Sequence, residues 1–181
     1  MVSRGIFFDK DGVLNKLIQR PEKKTAPWTL KELEFIDRAK ESVNLVQKFG
    51  WKTFLITNQP DFGDGSAKPK DLKKILQINV DYFGFTDYTF SIDRASDRYK
   101  PERGMVDELA AKHNIDLKHS IMIGDSWRDV VLAKKCGMKC YYIGEREDYF
   151  FPEQYKDVRP DYFISHVYAA CRHITNGGAI Q

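Results

Sequence analysis

An α/β fold is predicted from this sequence: a parallel sheet of five to six strands between two helical layers, with no cap domain. Two observations carry that expectation. Short apolar runs of strand length alternate with longer segments whose apolar residues recur near period 3.6, and strands separated by helices imply parallel pairing with both faces covered. The intervals between strands are also too short for a second folded unit, which would need some 50 residues or more.

Taken in order, residues 5–8 read as a buried strand. Residues 13–29, with Pro21, Pro27 and a charged centre, predict a loop or small hairpin. Residues 30–49 are predicted helical, because Leu33, Ile36, Val43, Val46 and Phe49 recur near period 3.6 and Gly50 supplies a stop. A second strand covers 53–56 and ends at Thr57-Asn58-Gln59. A Gly-, Asp- and Pro-rich loop (60–70) leads to a helix over 71–83, and 88–92 form a third strand. Lys100-Pro101 is expected to open a helix to about residue 114, with proline at its favoured first position. Residues 120–123 give a fourth strand, followed by Gly124-Asp125 and a helix to Cys136. A fifth strand at 139–143, a short sixth at 162–164 and a closing helix over 167–174 complete a Rossmann-like, three-layer α/β/α domain. Residues 1–174 are expected as one domain, and 175–181 as a disordered tail.

A hydrophobic content of 42% and a charged content of 30% describe an ordinary soluble chain. The net charge of +3 suits a small anionic substrate and lacks the basic stripe of a nucleic-acid binder. Lys23-Lys24 and the lysines at 68–74 read as solvated. Three cysteines at irregular spacing imply buried thiols and no disulfide framework, and His166, Cys171 and His173 match no common zinc spacing. Charges at Arg4, Asp9, Lys10 and Asp11 argue against a signal peptide, and no run reaches membrane-spanning length. The chain therefore reads as cytoplasmic, with no membrane partner. Nothing in the composition fixes an oligomeric state.

Four polar signals fall at strand ends or in the loops beyond them, where open α/β sheets bind ligands. They are Asp9 with Asp11, Thr57 with Asn58, Lys100, and Asp125 with Asp129. Side chains alternate in extended chain, so Asp9 and Asp11 can share a face, at a cost that a cation or a shared proton relieves. Asp125 and Asp129, four apart at a helix start, repel by a few tenths of a kcal/mol. Ser126 to Asp129 reads as a variant capping box. Together the set supplies carboxylates for a hard cation, a hydroxyl and an amide for phosphate oxygens, and an ammonium group.

The ordered set Asp-x-Asp-Gly-Val, Ile-Thr-Asn-Gln, Lys-Pro and Ile-Gly-Asp-Ser-x-x-Asp resembles the four motifs of the haloacid dehalogenase (HAD) superfamily phosphohydrolases, over residues 5–145. Thr57-Asn58-Gln59 and the stretch Lys100-Pro101-Glu102-Arg103-Gly104-Met105 are similar to the branch holding histidinol-phosphate phosphatase and heptose bisphosphate phosphatase. The resemblance implies a Mg²⁺-dependent phosphomonoesterase for a small phosphorylated metabolite, a sugar phosphate or bisphosphate. Asp9 would be the nucleophile of an aspartyl-phosphate mechanism and Asp11 the acid/base. Asp9, the backbone carbonyl of Asp11 and Asp125 would hold Mg²⁺, with Asp129 in support, while Thr57, Asn58 and Lys100 would hold the phosphoryl oxygens.

Two departures from that branch stand out. Residues 90–99 lack the cysteines and histidine of its zinc loop, so no structural zinc is implied, and Arg103 replaces the second proline of its lysine motif. Arg98 and Arg103 are expected as contacts for a second anionic group, and Trp28, Trp127 and Arg128 as lining of an uncapped mouth. A nucleic-acid 3′-phosphatase of the same superfamily is the alternative, disfavoured by the modest charge, with a non-catalytic phosphate-binding module behind it. A receiver domain fits less well, because here Lys100-Pro101 precedes Asp125.

Overall fold

The structure is a computed structural model that describes residues 3–178. In chain order its first elements are β1 (Gly5–Phe8), β2 (Ile18–Gln19), β3 (Lys24–Thr25), α1 (Ala39–Lys48) and β4 (Lys52–Asn58). Then come α2 (Pro60–Gly63), α3 (Pro69–Phe83), β5 (Asp87–Ser91), α4 (Gly104–His113) and β6 (Ile121–Gly124). The last are α5 (Trp127–Cys136), β7 (Lys139–Ile143), β8 (Tyr162–Ile164) and α6 (Val167–His173).

β1 is buried along its whole length, and its side chains alternate between two cores: Ile6 and Phe8 on one face, Phe7 on the other. It pairs in parallel with β4 on one side and β6 on the other. The full order across the sheet is β5-β4-β1-β6-β7-β8, every pair parallel. Successive strands run outward from β1 in one direction, then return and run outward in the other. The gap between the carboxyl ends of β1 and β6 is therefore the topological switch point, where such sheets form a ligand crevice.

Val43 and Val46 of α1, Leu72 and Leu76 of α3 and Ala170 of α6 close one core. Met105 and Leu109 of α4 and Ala133 of α5 close the other over Phe7, Phe54 and Met122. Each fully buried large apolar side chain contributes on the order of 1.5–3 kcal/mol. The predicted three-layer class and parallel sheet are present, and between β1 and α1 the chain inserts only the β2–β3 hairpin and one 3₁₀ turn. Among the described residues no helix is long and apolar enough to cross a membrane. The three cysteines are free and buried, and burial pushes the Cys136 thiol up to about 11.

Two helices begin well after their expected first residues, and the short α2 forms inside the expected 60–70 loop. The helix predicted over 30–49 forms only from Ala39, after a 3₁₀ turn at Leu30–Glu32. Lys16 N–H donates to the Glu34 carbonyl and Ile36 N–H to the Leu14 carbonyl, 2.8 Å each, so backbone groups needed for a helix are taken by the 14–16 segment. The helix predicted from Lys100 starts at Gly104. Lys100-Pro101 is a cis peptide, and a Gly104 N–H to Asp97 carbonyl bond of 2.9 Å turns the chain first, leaving Pro101 ahead of the helix. After α6 the chain continues over Ile174–Gly178 as a π-helical stretch kinked at Gly177. Thr175 Oγ1 donates there to the carbonyls of Cys171 and Arg172, 3.1 Å each. Residues 179–181 lie outside the described residues.

Candidate active site

Asp9 stands one residue past β1, where its N–H still donates to the Ile123 carbonyl of β6 at 2.9 Å. The ladder thus delivers its carboxylate to the switch point. Asp9 Oδ1 accepts from the Lys10 N–H (2.7 Å) and from Lys100 Nζ (2.8 Å). Lys100 Nζ also donates to Asp129 Oδ1 at 2.7 Å, and the side chain is only 2% exposed. Asp129 is wholly buried, and its Oδ2 accepts from Ser126 N–H (3.1 Å) and Oγ–H (2.8 Å), the capping interaction read from the sequence.

Two glycines let the carboxylates close on one another. Gly12 has φ 88°, and a Cβ there would fall 1.7 Å from Asp125 Oδ2. A Cβ on Gly124 would fall 2.3 Å from Asp129 Cβ. As a result, oxygen atoms of Asp9, Asp125 and Asp129 lie within 4.8 Å of one another.

Three carboxylates crowd here around one ammonium, which bonds two of them, Asp9 and Asp129. Burial raises Asp9 to about 6 against the opposing pull of Lys100, and the charges of Asp129 and Asp11 add to the rise. Burial also lifts Asp125 well above the usual carboxylate range, helped by repulsion from Asp9 and Asp129. For Lys100 burial disfavours the charge, but Asp129 and Asp9 outweigh it and the pKa goes up. Hard oxygen donors with excess negative charge in a buried setting fit a divalent cation.

Asp11 stands outside that cluster. Its Oδ1 accepts from Lys10 Nζ at 2.6 Å and its Oδ2 from Gln59 Nε2 at 2.7 Å. Gln59 Nε2 also lies 2.8 Å from Thr57 Oγ1. Asn58 lines the same cavity as Asp11, and its side chain clasps the Lys100 backbone: its Nδ2 donates to the Lys100 carbonyl (3.0 Å) and its Oδ1 accepts from Lys100 N–H (2.9 Å). That clasp ties the end of β4 to the turn before α4 and sets where the Lys100 side chain begins.

These groups floor a cavity of about 310 Å³, with Asp9, Asp11, Thr57, Lys100 and Asp125 in its lining. Lys23 and Lys24 reach it from the hairpin, Arg94 from the turn after β5, and Arg128 from α5. Lys23 pairs with Asp61 at 3.1 Å; Lys24, Arg94 and Arg128 have no salt bridge among the described residues. Of the five residues expected from the sequence as substrate contacts or mouth lining (Arg98, Arg103, Trp28, Trp127 and Arg128), Arg128 alone lines this cavity. Arg98 is taken by Glu108 and Thr89, and Arg103 by Asp107 (2.8 Å) and the Lys135 carbonyl (3.0 Å). Trp127 stacks on Tyr155 with centroids 5.5 Å apart. Trp28 packs beneath Arg20 at 3.9 Å and donates to Asp61 Oδ2 at 3.0 Å. No site role is read from the sequence for Lys10, Gln59 or Arg94. Arg94 lies in the 90–99 stretch, whose lack of zinc ligands is the feature of the sequence that marks it.

The HAD-hydrolase-like family model matches residues 98–170. The chain is 26% identical to the D-glycero-alpha-D-manno-heptose-1,7-bisphosphate 7-phosphatase of Photorhabdus laumondii subsp. laumondii, over 76% of this chain and 80% of that protein. It is 26% identical to the D-glycero-D-manno-heptose-1,7-bisphosphate 7-phosphatase of Chlorobaculum tepidum, over 91% of this chain and 90% of that one. In fold it is similar to the D,D-heptose 1.7-bisphosphate phosphatase from B. bronchiseptica, solved with magnesium and phosphate. The TM-score is 0.80 at 17% identity, covering 96% of this chain and 98% of that chain.

Proposed function

We propose that this chain, which belongs to the HAD-like hydrolases and is a phosphatase, hydrolyses a phosphomonoester of a sugar bisphosphate in a Mg²⁺-dependent reaction. The observation that carries this is the division of charge in the cavity. Acids and one buried ammonium make its floor, and Lys23, Lys24, Arg94 and Arg128 stand around its mouth. A floor of that kind suits the reacting phosphoryl group, and a basic mouth suits a second anion on the same molecule.

Mg²⁺ would be held by Asp9, Asp125 and the backbone carbonyl of Asp11, with Asp129 in support. When bound, it supplies positive charge against the phosphoryl oxygens. In the first step an Asp9 carboxylate oxygen attacks phosphorus and the bond to the leaving oxygen breaks. That oxygen keeps the bonding pair and takes a proton from Asp11. In the second step a water oxygen attacks the aspartyl-phosphate, Asp11 takes back a proton, and Asp9 departs as the carboxylate with release of phosphate. Thr57 Oγ–H and Lys100 Nζ hold phosphoryl oxygens, and Asn58 serves by fixing the Lys100 backbone. Lys24, Arg94 and Arg128 receive the distal anion.

The test is phosphate release from a heptose 1,7-bisphosphate and from the matching monophosphate, with Mg²⁺ and with EDTA. One phosphate is expected from the bisphosphate, only with Mg²⁺, and none from the Asp9→Asn variant. Arg94→Ala and Arg128→Ala should raise KM for the bisphosphate about 10-fold, and by more than for the monophosphate, as loss of a charge-assisted hydrogen bond requires. Metal-independent turnover or an active Asp9→Asn variant would refute the chemistry. Indifference of KM to the second anion would refute the substrate class.

A further inference from the structure

We infer that Lys10 and Gln59 are positioning residues that hold the Asp11 carboxyl where it can exchange a proton with the leaving oxygen. The inference rests on Asp11 as the acid/base. Lys10 sits between the two motif acids, where a lysine would ordinarily extend into water. Here it is 0% exposed and its ammonium folds back onto Asp11 Oδ1 at 2.6 Å. A lysine withdrawn from water persists only when its charge is matched; among the described residues its one salt-bridge partner is Asp11.

Gln59 is 1% exposed and meets the other carboxylate oxygen. The amide nitrogen is the end that faces Asp11, and an amide N–H can only donate, so this oxygen of Asp11 accepts. The same nitrogen faces Thr57 Oγ1 at 2.8 Å. Its Oε1, in contrast, is buried with no hydrogen-bond partner among the described residues. A glutamine serving packing alone would be expected to satisfy both ends. This one leaves its acceptor orphaned while its donor end is fully used, which points to the donor end as the function of the position. With one donor on each oxygen, the plane of the Asp11 carboxyl is fixed at the cavity wall.

The experiment compares kcat/KM on a sugar phosphate and on p-nitrophenyl phosphate. kcat/KM reports transfer to Asp9, and the aryl oxygen leaves as a stable anion, so only the sugar substrate needs a well-placed acid. Asp11→Asn sets the reference, with a loss of about 10²–10⁴-fold on the sugar phosphate. Lys10→Met and Gln59→Leu should each lose about 10²-fold there, the effect of an ångström of misplacement. That loss should exceed their loss on the aryl phosphate by about 10-fold or more, and Lys10→Arg should restore part of it. Equal losses on both substrates in Lys10→Met and Gln59→Leu, with Asp11→Asn still discriminating, would overturn the positioning role. Equal losses in Asp11→Asn itself would instead refute the acid/base assignment. Thermal melts accompany each variant, and if Lys10→Met does not fold, Gln59→Leu and Gln59→Glu carry the test.

Discussion

At Gly12 a missing side chain is what lets Asp125 approach the end of β1. Alanine there would place a methyl carbon 1.7 Å from Asp125 Oδ2 in a backbone conformation of φ 88° that alanine disfavours. Gly12→Ala is therefore expected to cost about 1–3 kcal/mol of stability and to lower kcat by about 10²-fold through displacement of Asp125. Thermal melts and a Mg²⁺ titration of activity would check both, and a fully active variant would show that Asp125 need not sit there. Asp9, Asp125, Asp129 and Lys100 were legible because their spacing marks strand ends in the sequence. Lys10 and Gln59 were not, since only tertiary packing decides that a lysine between two acids turns inward. Asn58 was legible as a site residue, but its clasp on the Lys100 backbone depends on a loop 42 residues away in the chain.

The hairpin that brings Lys23 and Lys24 to the cavity is anchored by Glu32. Its carboxylate accepts both ends of the Arg20 guanidinium, 3.0 Å each, together with the N–H groups of Trp28 (2.8 Å) and Thr29 (3.3 Å). The Arg20 bond, ahead of the Trp28 and Thr29 bonds and against the opposing effect of burial, holds this carboxyl below its ordinary 4.5. An acid depressed in the folded state adds stability above its unfolded pKa and loses it as pH falls through the folded value. Glu32→Gln should therefore lower Tm at pH 7 by roughly 2–8 °C, from about 1–2 kcal/mol of charge-assisted bonding. The gap to the parent should shrink as pH drops below 4.5, and melts between pH 7 and pH 3 would show it. A gap that did not narrow would remove Glu32 as the anchor. Leu33 and Ile36 keep helical spacing in this region, yet the backbone is extended, because bonding to residues 14–16 outweighs propensity there.

Across the whole molecule, the sheet order concentrates negative charge at one point between β1 and β6. A cation bound there stabilises the folded state alone, by about 2.7 kcal/mol at 100 times its Kd. Mg²⁺ is thus expected to raise Tm by roughly 5–10 °C, EDTA to reverse the rise, and Asp125→Asn to abolish most of it. A Tm indifferent to Mg²⁺ would count against the site. Alternating apolar runs were enough to read the layers and the parallel sheet. They could not say that Arg98 and Arg103 are engaged by Glu108, Thr89, Asp107 and the Lys135 carbonyl outside the cavity lining, because a loop's side-chain directions follow from its turns and partners.

On the proposed mechanism, the short insert between β1 and α1 would also constrain the fate of the phosphorylated enzyme. A hairpin of two-residue strands leaves the mouth open to solvent, and an acyl phosphate formed in an open site meets water at its full concentration. Enzymes that pass a phosphoryl group from one sugar to another must keep water out while acceptors exchange. Among the described residues only the hairpin and one 3₁₀ turn stand between β1 and α1, which on the proposed mechanism would commit the intermediate to hydrolysis and let product diffuse away without waiting for a lid to open.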